Sequence, residues 1–137
     1  MYLENEIIIP TDHEKYIKGS KVACRSAYGE ELLRIGEENK GKIAVVSCDL
    51  APSVNTAKFG ENFSEYFFEL GLQEHNATSL AGQLSHSFVT FLSSFGVFIL
   101  DESSYQHKIN NMNKDPLKVV ITYVGADVGE DGESHQC

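Results

Sequence analysis

Four short apolar runs, separated by segments of helical character, constrain the fold of this chain most strongly. The runs are continuously apolar, which is typical of strands buried on both faces. Strands of this kind that alternate with helices form parallel sheets. We therefore predict an α/β fold, a parallel sheet with helices on both faces, and no internal repeats. The predicted strands are 43–46, 66–70, 87–92 and 117–124.

Between these runs, apolar residues recur at helical intervals and end at stop signals such as Lys40-Gly41 and Lys114-Asp115-Pro116. The predicted helices are 21–39, 73–85 and 95–113, with a short one within 56–62. We treat 1–20 as an N-terminal extension and 21–137 as one domain, since the length suits a single core. The last strand precedes a polar, Gly-rich tail without a covering helix. We expect this fold to be incomplete at its C-terminal end, with apolar surface covered by further sequence or another chain.

Composition excludes several classes of function. The net charge of -9 argues against a nucleic-acid or anionic-membrane surface, because phosphates are bound by Lys and Arg. No apolar stretch reaches the roughly 20 residues of a bilayer span, and no signal-peptide pattern opens the chain. Three cysteines without CxxC spacing indicate neither a disulfide framework nor a zinc site. We expect a cytoplasmic protein with small-molecule or protein partners.

Glu74 is the first candidate functional residue. It falls in the first turn of a predicted helix directly after a strand end, where open α/β sheets place their chemistry. Helical spacing from Glu74 gives Ala77, Thr78 and Ala81, a face of small side chains that another backbone, a ring or a ligand could approach closely. The alternative is an ordinary first-turn acid, favoured there by the helix dipole.

The loops that follow the four strands are predicted to meet at one edge of the sheet. They carry acids, aromatic rings, a hydroxyl and an imidazole, each of which is a weak signal alone. Phe95 and Phe98, for example, are spaced as core residues often are. These edge residues are Asp49, Ser53, Glu74, Phe95, Phe98, Glu130, Asp131 and His135.

Taken in order, these residues resemble the pyrimidine-binding domain of transketolase, in the form found as the C-terminal section or subunit of split transketolases. The resemblance runs from about residue 23 to residue 136, which is most of the chain. Six motifs in register make it specific. They are Arg25 with Tyr28-Gly29-Glu30, Asp49-Leu50-Ala51-Pro52-Ser53, Thr56-Ala57-Lys58-Phe59, Gly71-Leu72-Gln73-Glu74-His75-Asn76, Phe95-Gly96-Val97-Phe98, and Val128-Gly129-Glu130-Asp131-Gly132 with His135-Gln136.

The resemblance implies thiamine diphosphate as the cofactor. In that family the acid matching Glu74 holds the 1′ nitrogen of the aminopyrimidine, so that the cofactor serves as its own base. We expect apolar surroundings to raise the pKa of Glu74 against the opposing effect of the helix N-terminus. Phe95 and Phe98 would flank the pyrimidine ring, and Asp49 and Leu50 would lie beside the cofactor.

The same matching implies the transfer of a two-carbon ketol unit between sugar phosphates, as in the pentose phosphate pathway. Arg25 and Ser53 match contacts to a sugar phosphate, for which guanidinium forks and hydroxyls are suited. Asp131 matches a residue that contacts substrate hydroxyls. His135 lies near the same channel, and with Glu74 it is a candidate catalytic residue.

The chain also departs from the family pattern. It lacks the GDG…N motif that binds magnesium, so we predict no metal ligand here and expect Mg²⁺ to be held by a diphosphate-binding domain or subunit, within a homo- or hetero-oligomer. The family's third domain is missing as well. Tyr123 stands where a substrate-binding His is usual, and Asp101-Glu102 replace a small and a basic residue. The helix after Glu74 is also about one residue short.

Two alternatives to a split transketolase stay open on the sequence. The changes at Tyr123, Asp101 and Glu102 would suit a non-catalytic subunit that is kept for assembly with a partner. The chain could also be part of a related thiamine-diphosphate enzyme, such as a 1-deoxyxylulose-phosphate synthase or a dehydrogenase of 2-oxo acids. The run Asp49-Leu50-Ala51-Pro52-Ser53 favours transketolase.

Overall fold

A computed structural model describes residues 22–125 and 129–137. These residues form a four-stranded sheet in the order β2-β1-β3-β4, with every neighbouring pair parallel. The predicted α/β class is therefore confirmed. The elements are α1 (Cys24–Glu38), β1 (Ile43–Ser47), α2 (Ala57–Asn62), β2 (Phe67–Glu69), α3 (Glu74–Leu84), β3 (Val89–Phe95), a π-helical turn (Val97–Glu102), α4 (Ser104–Asn113) and β4 (Lys118–Thr122).

Two apolar clusters cover the two faces of the sheet, because alternate residues of a strand point to opposite sides. On one face, α1 and α2 pack on the sheet through Leu32, Ile35, Ile43, Val45 and Phe59. On the other, α3 and the π-helical turn pack through Val46, Cys48, Ala77, Ala81, Leu92 and Ile99. The small side chains of α3 thus let the helix approach the sheet closely.

The most consequential difference from the predicted elements is at β3. The strand was expected to end at residue 92 and a helix to begin at 95, but β3 continues to Phe95. Its last residues are buried and pair with β4, Phe95 opposite Thr122. The following helix is divided into the π-helical turn and α4. Phe95 and Phe98 are therefore on a strand end and a π-helical turn, not on one helix.

The predicted N-terminal extension, 1–20, lies outside the described residues. In the described part of the chain, no helix has both the length and the apolar character to cross a membrane. Beyond β4, two short 3₁₀ turns, Gly129–Asp131 and Glu133–His135, carry the chain back toward the edge where β3 ends, since the ring of His135 contacts Phe95.

Candidate functional site

The candidate site lies at the edge where the parallel strands end. In the sheet, β2 lies on one side of β1, whereas β3 and then β4 lie on its other side. The direction in which strands are added therefore reverses between β1 and β3. In open α/β sheets, such a reversal leaves a crevice at the carboxyl ends of the strands, and ligands bind there. The segments after β1, β2 and β3 all begin at this crevice.

Glu74 is the first residue of α3, close to its predicted position, and is half-buried. The Thr78 hydroxyl donates a hydrogen bond of 2.8 Å to the Glu74 carbonyl oxygen, which is within the first turn of the helix. The ring of the next residue, His75, contacts the carbonyl oxygen of Glu102 at 2.5 Å. The start of α3 is therefore attached to the end of the π-helical turn.

The pKa of the Cys48 thiol is affected by burial and by the charges at the start of α3 and the end of β2. Burial raises the pKa of Cys48 to about 12, and the charges of Glu74 and Glu69 act in the same direction, against a backbone hydrogen bond from Gln73 that lowers it. The edge after β1 and β2 is thus a negatively charged corner over an apolar core.

Four rings form a cluster at the end of β3. The rings of Phe95 and Phe98 are nearly parallel, 20° apart, with their centroids separated by 6.1 Å. His135 stands edge-on to both, at 5.8 Å from Phe95 and 5.5 Å from Phe98. Tyr123 packs on Phe95 at 4.1 Å. The cluster joins residues from β3, the π-helical turn, the segment just after β4 and the C-terminal turn. The sequence analysis mentions Tyr123 only because it stands where the family usually has a substrate-binding His.

Glu69 was missed by the sequence analysis. One oxygen of its carboxylate accepts the backbone N–H of Asp49 at 2.5 Å and that of Gly71 at 3.2 Å. Asp49 is in the left-handed region, with φ 59°, which the first of these hydrogen bonds helps to hold. Glu69 therefore links the loop of Asp49 and Leu50 to the segment that leads into α3. The sequence feature that could have identified Glu69 is its position at the end of a predicted strand, two residues before Gly71.

Arg25 and Ser53, both predicted to bind substrate, are brought together. Nη1 of Arg25 donates to the Ser53 carbonyl oxygen at 3.4 Å and to the Tyr123 hydroxyl at 3.1 Å. Close by on α1, the Tyr28 hydroxyl hydrogen-bonds the hydroxyl of Ser93 at 2.7 Å, and burial raises the pKa of Tyr28. These tyrosines and Arg25 line a pocket of about 450 Å³ against β4.

Other predicted residues stand apart. Asp131 is exposed and makes no hydrogen bond to another described residue, and Leu50 is half-buried in the loop after β1. Glu130 is exposed in the same turn as Asp131. Val128, part of one motif of the resemblance, lies outside the described residues. Glu74 and the rings of Phe95 and Phe98 lie at the same edge of the sheet, and no hydrogen bond or ring contact joins them.

Three buried hydroxyls at this edge have no hydrogen-bond partner within residues 22–125 and 129–137. They are those of Ser47, Ser94 and Thr122. Each is the last or the next-to-last residue of its strand. Since buried polar groups are nearly always hydrogen-bonded, unpaired hydroxyls beside a candidate site fit a ligand that brings polar atoms. The described residues do not offer a comparable site for a metal ion, because they contain no group of three or more His, Cys, Asp or Glu side chains that could hold one.

Comparisons with known proteins agree with this geometry. Residues 20–137 match the family model described as transketolase, pyrimidine binding domain. A protein of Methanocaldococcus jannaschii assigned as a transketolase C-terminal section is 35% identical over 124 residues, which cover 88% of this chain and 38% of that protein. A 1-deoxy-D-xylulose-5-phosphate synthase of Clostridium perfringens is 28% identical over 123 residues, 85% of this chain and 19% of the enzyme.

A solved structure gives the same picture. A chain titled as a split gene transketolase, inactive beta4 tetramer, superposes with a TM-score of 0.67 at 35% identity, over 85% of this chain and 37% of that one. This chain therefore spans less than two fifths of the length of these relatives.

Proposed function

Because the chain belongs to the family of transketolase pyrimidine-binding domains, a family of thiamine-diphosphate enzymes, we propose that it is the pyrimidine-binding part of a split transketolase. It would transfer a two-carbon ketol unit between sugar phosphates together with a diphosphate-binding section. The observation that carries this proposal is the placement of Glu74 and the Phe95–Phe98 pair at one sheet edge, after β2 and at the end of β3.

Glu74 is proposed to hold a proton at the 1′ nitrogen of the aminopyrimidine. Its half-buried position at the start of α3 supports this role. Thiamine diphosphate, when bound, supplies a carbanion-stabilising thiazolium ring. The chain's contribution is to orient that cofactor and to share the proton.

The two phenylalanines are proposed to flank the pyrimidine. Their nearly parallel rings offer a flat apolar surface to a flat heterocycle, an arrangement that aromatic pairs favour. Asp49 and Leu50 would border the pyrimidine, on the loop that Glu69 holds in place.

Arg25 and Ser53 are proposed to bind the phosphate of a sugar phosphate, and Asp131 and His135 its hydroxyl groups. The joint hydrogen bonding of Arg25, Ser53 and Tyr123 supports the first assignment. The contact of His135 with both phenylalanines supports a role for it beside the proposed cofactor and substrate positions. From the sequence we also predict that the protein is cytoplasmic, and from the resemblance that it acts in the pentose phosphate pathway.

Magnesium is proposed to be bound by the partner section, because the described residues of this chain do not offer a set of metal ligands. The position of β4 at the edge of the sheet, with its last four residues only half-buried, and the part-length match to the relatives support a partner.

The test is ketol transfer from a ketose phosphate to an aldose phosphate by this chain mixed with the diphosphate-binding section, thiamine diphosphate and Mg²⁺. Glu74→Gln keeps the size of the side chain and removes its charge. Since acid–base groups contribute typically about 100-fold or more, turnover should fall by at least that factor. Glu65→Gln is the matched control, because Glu65 is exposed and precedes β2 at the opposite edge of the sheet.

The proposal fails if the mixture forms a complex without turnover, or if both glutamine variants lose activity equally. A complex that uses pyruvate in place of a ketose phosphate would identify the related synthase activity, which the C. perfringens relative represents. A stable complex without either activity would favour the non-catalytic assembly subunit.

A further inference from the structure

Tyr123 connects the two parts of the candidate site. It lies just beyond β4 in the left-handed region, with φ 59°, which is unusual for a bulky residue and persists only where surrounding contacts hold it. Its ring packs on Phe95 with a centroid distance of 4.1 Å, and its hydroxyl accepts the hydrogen bond from Arg25 Nη1 at 3.1 Å. One side chain thus contacts both Arg25, the proposed phosphate-binding residue, and the Phe95–Phe98 pair, which we call the cofactor shelf.

The hydrogen bonds of Arg25 leave one side of its guanidinium open. Both acceptors, the Tyr123 hydroxyl and the Ser53 carbonyl oxygen, use Nη1. Nε and Nη2 have no partner among the described residues. These two nitrogens form an edge whose spacing matches two oxygens of a phosphate or a carboxylate. An exposed arginine without such anchoring would lose much rotamer entropy on binding an anion.

We propose that Tyr123 is a positioning residue, which fixes Arg25 so that its Nε–Nη2 edge binds the phosphate group of the substrate at a set distance from Phe95. This inference rests on the proposed function for the identity of the anion. The pocket of about 450 Å³ that Arg25, Tyr28 and Tyr123 line provides the space for it. The hydroxyl of Tyr123 orients Arg25, while its ring fixes the spacing to the cofactor shelf.

The chain offers an internal control for this proposal. It contains two arginines, and the other one, Arg34, hydrogen-bonds Glu31 and Glu38 along α1. In a ¹⁵N–¹H spectrum of the full 137-residue chain, the two Nε–H signals therefore report an available and an occupied guanidinium. On titration with inorganic phosphate, the Arg25 signal should move and saturate, and the Arg34 signal should stay.

Tyr123→Phe removes the hydroxyl and keeps the ring on Phe95. Loss of one hydrogen bond should raise the phosphate Kd at Arg25 by about 3- to 10-fold. Tyr105→Phe, which removes an exposed hydroxyl on α4, should leave the Kd unchanged. In the reconstituted complex, Tyr123→Phe should raise KM for the ketose phosphate while kcat and the Kd of thiamine diphosphate remain those of the native chain.

Three results would overturn the proposal: no shift of the Arg25 signal in the native chain, an equal change in Kd for the two phenylalanine variants, or a fall in kcat without a change in KM. The titration does not depend on turnover. A complex that lacks ketol transfer would refute the proposed function, and the phosphate titration would still decide the role of Tyr123.

Discussion

Cys48 is fully buried, and its thiol lies within range of the charges of Glu69 and Glu74. Its pKa is raised to about 12, chiefly by burial. In the unfolded chain a thiol ionises at about 8.5. Between these values the folded state keeps a proton that the unfolded state has lost, so the free energy of unfolding must fall as pH rises.

The expected result is a loss of stability from about pH 8.5 upward, with a slope of at most about 1.4 kcal/mol per pH unit from this group. Urea unfolding at several pH values between about 8 and 9 measures it, since tyrosines ionise near pH 10. Cys48→Ala is the comparison, because it removes the titrating group. Equal slopes in the two proteins would show that Cys48 is not the cause.

The positions of single candidate residues were predictable where they follow from strand ends. Glu74 and Asp49 were placed at the sheet edge because each follows an apolar run. The hydrogen bonds of Glu69 and Tyr123 with distant residues were not predictable. Asp49, the partner of Glu69, is 20 residues away in sequence, and Arg25, the partner of Tyr123, is 98 residues away. Periodicity describes a residue's neighbours along the chain and carries no information about such distant contacts.

At the scale of elements, α3 and α4 are joined by a polar contact. Asn110 is buried and donates from Nδ2 to the Thr78 carbonyl oxygen at 2.9 Å. It lies over Gly82, where an added Cβ would be 2.5 Å from Asn110 Oδ1. The absence of a side chain at Gly82 therefore permits the approach of α4, and through it the position of the π-helical turn that carries Phe98.

Gly82→Ala should reverse the usual effect of this substitution. In a free helix it stabilises by about 1 kcal/mol, but the clash with Asn110 should make it destabilising by about 1–3 kcal/mol. Chemical denaturation gives the values. In an Asn110→Ala background the same substitution should become neutral or stabilising. An identical effect of Gly82→Ala in both backgrounds would exclude the contact as the cause.

The length of β3 shows where element prediction from the sequence fails. Ser93 and Ser94 resemble loop residues, yet both are buried within the strand. The hydroxyl of Ser93 pairs with that of Tyr28 on α1, and the strand is flanked by β1 and β4 on its two sides. Tertiary contacts therefore outweigh local propensity here. The existence of four strands and their parallel arrangement followed from the apolar runs and their alternation with helices.

At the scale of the whole molecule, α4 carries an exposed apolar stripe. Tyr105, Ile109 and Met112 lie at i, i+4 and i+7, and their exposed fractions are 65%, 37% and 69%. Apolar patches of this kind on a soluble domain mark interfaces with other chains. We expect a second copy of this chain to cover the stripe when the partner section is absent.

Met112→Lys tests that expectation by adding a charge at the C-terminal end of the exposed stripe, at its most exposed residue. Asn111→Lys is its control, because it adds the same charge to the same helix at an exposed polar position one residue away. Sedimentation equilibrium of the isolated native chain should give a multiple of the 15.2 kDa chain mass. The mass of Met112→Lys should shift toward a single chain, since burying an unpaired ammonium in an interface is unfavourable, and that of Asn111→Lys should not. A native chain that sediments as a monomer, or two variants that dissociate alike, would show that copies of this chain do not associate through α4.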